Sequence, residues 1–206
     1  MPIKANSALL IVDVQNDFCP GGALPIPEGD SLVPKLNAYI RLFRELDRPI
    51  VASRDWHPPQ TTHFVTQGGP WPPHCVQDTP GARFHRDLAL PEDALVVSKG
   101  MGAQEDAYSA FQARDDRGRP LAERLRALGV EHVYVGGLAL DYCVITSALD
   151  AVAQGLGATL LIDATRAVNV NPHDGELALE ELVRSGVGLA TIEMLGEARP
   201  GPQVRG

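Results

Sequence analysis

Apolar residues along the chain fall into two kinds of pattern. Short continuous runs rich in Val, Ile and Leu recur at residues 8–13 ("ALLIVD"), 49–53 ("PIVAS"), 94–98 ("ALVVS"), 132–136 ("HVYVG"), 158–163 ("ATLLID") and 188–192 ("GLATI"). None alternates cleanly with polar residues, which is the pattern of strands buried on both faces in a parallel sheet. Helical patterns lie between them. Leu32, Leu36, Ile40, Phe43 and Leu46 recur at helical spacing, as do Leu121, Leu125 and Leu128, with Gly129 placed as a C-cap. Residues 143–154 and 175–185 read as two more helices. The alternation predicts an α/β fold, a three-layer αβα sandwich whose open, mostly parallel six-stranded sheet carries helices on both faces. Ligands of such sheets bind beyond the carboxyl ends of the strands.

Residues 55–90 break this rhythm. They are rich in Pro, Gly and His and hold both tryptophans, Trp56 and Trp71. A loop of that length inside a compact domain is usually functional. Residues 1–196 read as one domain and residues 197–206 ("EARPGPQVRG") as a flexible tail.

Composition narrows the function classes. The 206-residue chain has a net charge of −8 and no Lys/Arg cluster, which argues against a nucleic-acid or anionic-membrane surface. The opening "MPIKANSALLIVDVQNDF" is too short and too quickly charged for a signal peptide or a spanning helix. Three cysteines cannot all pair within one chain, so reduced thiols and a cytoplasmic location are expected. Whether the chain forms a homo-oligomer stays open.

Four features could carry chemistry. Asp13 ends an apolar strand, where α/β active sites form. Asp55 and His57, in "SRDWHPPQTTHF", lie two apart at another strand end and so share a face. Imidazole and carboxylate suit Zn, Fe or Mn, and His63 and His74 in the long loop could complete a ligand set. His85 reads as a loop or surface residue. Lys99 follows a third strand and could pair with Asp13 or stabilise developing negative charge. Cys143 sits where a strand hands over to a helix, and a helix N-terminus should lower its pKa from about 8.5. Each feature alone has a commoner, inert explanation: a surface acid or lysine, a chance D-x-H pair, a buried free thiol. Cys19 and Cys75 are given that inert reading. Acid, lysine, thiol and a metal-type cluster converging on strand ends form the constellation of a nucleophilic amidase beside a metal.

At this point the chain resembles the nicotinamidases of the isochorismatase-like cysteine hydrolase superfamily. The matching stretches are "IVDVQNDFCPGGAL", "SRDWHPPQTTHF", "GGPWPPHCVQDTPGARFH", "VSKG" with "AYSAF", and "GGLALDYCV". They cover most of the chain in the family's order, and the D-x-H loop with "WPPHCV" is the most specific of them. The resemblance implies Asp13, Lys99 and Cys143 as the catalytic triad. It implies Asp55, His57 and His74 as ligands of one divalent transition metal (Zn, Fe or Mn), with His63 a fourth ligand in some members. It assigns Phe18 and Trp71 to a sandwich around a pyridine ring, with Leu138 and Tyr108 also at the substrate. It places a non-proline cis peptide between Leu138 and Ala139, and an oxyanion hole at the Ala139 and Cys143 N–H groups. The sequence departs from the pattern at Leu140 and Tyr142, and at Asp78, where a glycine is frequent.

What this implies is hydrolysis of nicotinamide or pyrazinamide through a Cys143 thioester, in the service of NAD salvage. A carbamoyl or ureido amidase of the same superfamily shares the triad but generally lacks the metal pattern. Isochorismate hydrolysis needs no thiol nucleophile. A non-catalytic binding protein on the same fold is disfavoured by the complete triad.

Overall fold

The computed structural model describes residues 2–196; the tail expected at 197–206 lies outside the described residues. Six strands form one sheet: β1 (Ser7–Val12), β2 (Ile50–Asp55), β3 (Leu95–Lys99), β4 (His132–Leu138), β5 (Gly157–Arg166) and β6 (Gly188–Ala190). Their order is β3-β2-β1-β4-β5-β6, and every pairing is parallel. The sequence predicts each of these strands because the central ones are covered on both faces. Every residue of β1 and of β4 is buried.

Five α-helices cover the sheet: α1 (Val33–Glu45), α2 (Leu121–Ala127), α3 (Ile145–Ala153), α4 (Asp174–Arg184) and α5 (Ile192–Gly196). Along β1 the side chains divide between two cores. Leu9 and Ile11 pack with Leu36, Tyr39, Ile40 and Phe43 of α1 and Leu195 of α5. Ala8, Leu10 and Val12 pack with Leu121 and Leu125 of α2, Ala148 of α3, and Ala178 and Leu182 of α4. The layers are therefore helix, sheet, helix. Fully burying each such Leu, Ile or Phe contributes about 1.5–3 kcal/mol.

Helix boundaries follow local chemistry. Pro34 occupies the first turn of α1, where its missing N–H costs nothing. Gly129 follows α2 at φ +68, and the Val130 N–H reaches back to the Leu125 carbonyl (3.0 Å), as a glycine C-cap requires. Leu46 and Leu128, expected on the buried stripes, are 42% and 47% exposed, because each sits at the C-cap, where the helical register ends. The last apolar run splits. Its strand stops at Ala190, and Ile192 opens α5, a turn too short to show a helical period.

The chain builds β1, β2 and β3 outward to one side, then crosses to build β4, β5 and β6 on the other. The order reverses between β1 and β4, and a crevice beyond the carboxyl ends of these two strands is where such sheets bind ligands.

Candidate active site

Each strand ending at this crevice delivers one reactive group. β1 stops at Val12, and Asp13 turns out of the strand at φ +50. Its N–H bonds the Ser53 carbonyl (3.2 Å), and the Ser53 hydroxyl donates to its Oδ1 (2.7 Å). β2 ends on Asp55, whose backbone is gripped on both sides by the buried amide of Gln15. Gln15 Oε1 accepts from the Asp55 N–H and Gln15 Nε2 donates to the Asp55 carbonyl, both at 2.8 Å. β3 ends on Lys99, directly opposite Asp55 in the sheet register. β4 runs into the Leu138–Ala139 peptide, which is cis, as the resemblance implies.

Lys99 is the hub. Its Nζ lies 2.9 Å from Asp13 Oδ2, bonds Asp55 Oδ1, donates to the Ala107 carbonyl (3.3 Å) and stands 3.5 Å from Cys143 Sγ. Asp13, Lys99 and Asp55 are all buried. Burial opposes the Lys99 charge, but Asp13 and Asp55 outweigh it and hold the ammonium protonated. Burial raises the Asp13 pKa, opposed by Lys99 and reinforced by Asp55. Burial would also raise Asp55, but Lys99 and His57 keep it well below the usual carboxylate range.

Cys143 departs from expectation. It lies inside a π-helical turn, Leu140–Val144, and α3 begins only at Ile145. The Tyr142 and Val144 N–H groups both bond the Ala139 carbonyl (3.1 and 3.0 Å). The thiol's pKa is pushed well up instead of falling, because burial and the nearby Asp13 and Asp55 outweigh the pull of Lys99. The resting group is a thiol, and any thiolate must form by proton transfer inside the cluster. Cys19 and Cys75 are also buried with raised pKa values, that of Cys19 at about 11, but neither lines the cleft that Cys143 reaches.

The histidines cluster on the other side of Asp55. Ligand atoms of His57, His63 and His74 lie within 4.8 Å of one another. His57 Nε2 and His74 Nε2 are 3.7 and 3.9 Å from Asp55 Oδ2. In all three rings Nδ1 is already engaged: His57 with the Gly100 carbonyl (3.1 Å), His74 with the Pro72 carbonyl (2.8 Å), and His63 with Asp106 Oδ1 (2.7 Å). That leaves each Nε2 available, and His57 Nε2 is buried without a hydrogen-bond partner. Burial lowers the pKa of His63 and takes His74 to about 4, so these imidazoles are neutral at pH 7. Rings anchored through Nδ1, with Nε2 free beside a carboxylate, fit a divalent transition metal. Gly100 is required here. It adopts φ +64, and a Cβ would lie 2.4 Å from the His57 ring.

Cluster and thiol open into a cleft of about 490 Å³, its mouth included. Phe18, Trp71, Tyr108, Leu138 and Ala139 line it, together with Asp55, His63, His74 and Cys143. Trp71 Nε1 donates to the Tyr108 hydroxyl (2.9 Å). The Ala139 N–H donates to no group among the described residues. Tyr142 also lines the cleft, edge-on to Trp71 with ring centroids 5.1 Å apart. Leu140 does not; it is buried in the core beneath. Asp78 is exposed at φ +64, which accounts for a glycine preference at that position without any part in the cleft. His85 lies outside the site, its N–H on the Val14 carbonyl.

The sequence reading missed Leu24, Pro25, Ile26 and Val168, which complete the apolar wall. It also missed Asp141, whose carboxylate takes the Val168 and Asn169 N–H groups (2.9 and 2.8 Å) and pins that wall to the turn bearing Cys143. The position of Val168 just beyond the carboxyl end of β5 was the one available signal.

Comparison with known proteins agrees with this geometry. The isochorismatase domain family matches residues 7–194. The nicotinamidase of Escherichia coli K12 is 38% identical over 201 residues, covering 90% of this chain and 94% of that protein. The nicotinamidase/pyrazinamidase of Mycobacterium tuberculosis H37Rv is 41% identical over 187 residues, covering 88% and 97%. The pyrazinamidase of Pyrococcus horikoshii, solved in complex with zinc, superposes with a TM-score of 0.84 at 48% identity, covering 90% of this chain and 99% of that one. The chain belongs to the isochorismatase domain family, among its nicotinamidase and pyrazinamidase members.

Proposed function

We propose that this protein hydrolyses nicotinamide, and pyrazinamide as a close analogue, to the carboxylic acid and ammonia. The observation that carries the reading is the buried Cys143 thiol, held between Lys99 and Asp13 at the base of an aromatic cleft with three histidines beside it. The names of the relatives at 38% and 41% identity support the substrate class.

In this reading Asp13 takes the Cys143 proton and the thiolate attacks the carboxamide carbon. The transfer keeps the buried cluster's net charge constant, so its desolvation cost is not paid again. Lys99 stabilises whichever of the two groups is anionic. The Ala139 N–H, with that of Cys143, receives the oxyanion. The C–N bond then breaks, Asp13 gives its proton to the departing ammonia, and a thioester remains. Water adds to the thioester with its proton passing to Asp13. The C–S bond breaks, the acid leaves, and Asp13 returns the proton to sulfur. Phe18 and Trp71 hold the ring between them.

Asp55, His57 and His74, with His63, would hold one divalent metal, for which Zn, Fe and Mn are all suited. When bound it supplies a Lewis-acid anchor for the ring nitrogen and a means of lowering the pKa of water. The pyrazinamidase of Pyrococcus horikoshii was solved in complex with zinc, which supports a divalent metal in this protein. A place in NAD salvage and a cytoplasmic location go with this reading. No helix among the described residues is long and apolar enough to cross a membrane.

The test is ammonia release from nicotinamide with and without a chelator. Release that falls on chelation and returns with added metal is expected. No release from the metal-loaded protein would remove the proposal.

A further inference from the structure

The three histidines are not anchored alike. His57 and His74 donate Nδ1–H to backbone carbonyls, those of Gly100 and Pro72. His63 instead meets a side-chain carboxylate, Asp106, at 2.7 Å. The His63 ring is buried, while Asp106 reaches in from the surface, its side chain 62% exposed. The remaining ring contacts of His63, such as the stack on His57 (centroids 4.7 Å apart, 24° between planes), do not select which nitrogen faces inward. The backbone beside it is fixed separately, the Thr62 N–H bonding the Ala103 carbonyl (2.9 Å). Asp106 is therefore the polar group that sets the His63 tautomer and orientation.

We propose that Asp106 is a positioning residue that makes His63 a metal ligand, by holding Nδ1–H outward and presenting the Nε2 lone pair to the centre formed with Asp55, His57 and His74. This rests on the metal reading above. A carboxylate partner also makes an imidazole a stronger donor than a carbonyl partner does. The segment that carries Asp106 serves the rest of the site as well. Its Gly100 carbonyl accepts from His57, its Ala107 carbonyl accepts from Lys99, and its Tyr108 hydroxyl accepts from Trp71. Asp106 thus ties the fourth ligand, His63, to the segment that already orients His57, Lys99 and the ring wall.

The experiment is a titration of the full-length, metal-stripped protein with Zn²⁺ alone, in competition with a chromogenic chelator. Loss of an outer-shell partner typically lowers metal affinity by about 10- to 100-fold, and the exposure of Asp106 puts the expectation for Asp106→Ala near the lower figure, about tenfold. Asp106→Asn, which keeps an acceptor oxygen without the charge, should lose less. In a His63→Ala background, Asp106→Ala should change the affinity by less than about twofold, as expected for two residues acting as one unit. Metal-free unfolding midpoints of the variants show that each has folded. If wild type binds Zn²⁺ and Asp106→Ala matches it, the positioning role is wrong and the metal reading stands. If Asp106→Ala costs as much without His63 as with it, Asp106 acts only as a nearby charge and the inference fails. If wild type binds no Zn²⁺, the metal reading falls and this inference with it.

Discussion

Lys99 concentrates the site's energetics in one side chain. It is fully buried and pairs with two buried carboxylates, Asp13 and Asp55, offsetting their mutual repulsion in a poor dielectric. Lys99→Met should therefore fail twice. Acylation should stop, and urea unfolding should show a loss of about 3–5 kcal/mol, the usual cost of stranding a buried ion-pair partner. A variant that keeps wild-type stability would mean the two carboxylates do not depend on this lysine. The ring wall makes a separate prediction. Trp71 stands edge-on to Tyr142 and bonded to Tyr108, and removing one aromatic contact loses about 0.5–1.5 kcal/mol. Trp71→Ala should raise KM for nicotinamide by up to about tenfold with a smaller change in kcat. An unchanged KM would place the ring elsewhere. Residue types and strand-end positions made Asp13, Asp55, Lys99 and Cys143 legible in the sequence. The direction of the Cys143 pKa was not legible, since it depends on burial among Asp13, Asp55 and Lys99, groups from three separate strands.

At the scale of elements, the site depends on how the strands end. Gly100 follows β3 immediately and leaves room for the His57 ring. Gly100→Ala should weaken Zn²⁺ binding and lower the unfolding midpoint. Gly118→Ala is the control, with φ +76 but nothing within 4 Å of an added Cβ, and should show only the backbone cost of roughly 1 kcal/mol. Equal effects at the two positions would contradict the His57 contact. At the opposite end of β4, His132 is buried between Lys4 Nζ (3.2 Å) and Thr159 Oγ1 (2.9 Å). Burial, with Lys4 adding to it, lowers its pKa to about 4. The folded state thus binds the proton less readily than the unfolded chain, whose histidine titrates near 6.5. Its contribution to stability is complete above about pH 6.5 and is lost as pH falls through about 4. Between those values wild type should lose stability more steeply than His132→Gln in chemical denaturation, and parallel curves would contradict this. The strands were readable because they are covered on both faces. The π-helical turn at Leu140–Val144 and the short α5 were not, since neither has a period long enough to show in the sequence.

The whole molecule brings the ends of β1, β2, β3 and β4 to one crevice through a single feature of its topology, the reversal of strand order between β1 and β4. Asp55 and Lys99, 44 positions apart, become sheet neighbours there. The long irregular stretch after β2 then folds over the crevice, carrying His57, His63, Trp71 and His74. Its role was legible from its Trp and His content, but its path was not, because isolated bridges such as His57 to Val76 and Phe64 to Trp71 leave no periodic trace. The same architecture places Val168, from beyond β5, and Leu24, from the loop after β1, on one apolar wall. Everything in it converges on one sulfur atom. The most direct test is ammonia release from nicotinamide by Cys143→Ala at metal content matched to wild type. On the proposed mechanism this substitution should reduce kcat by at least about a thousandfold. A Cys143→Ala protein that keeps more than a small fraction of wild-type turnover would contradict the account.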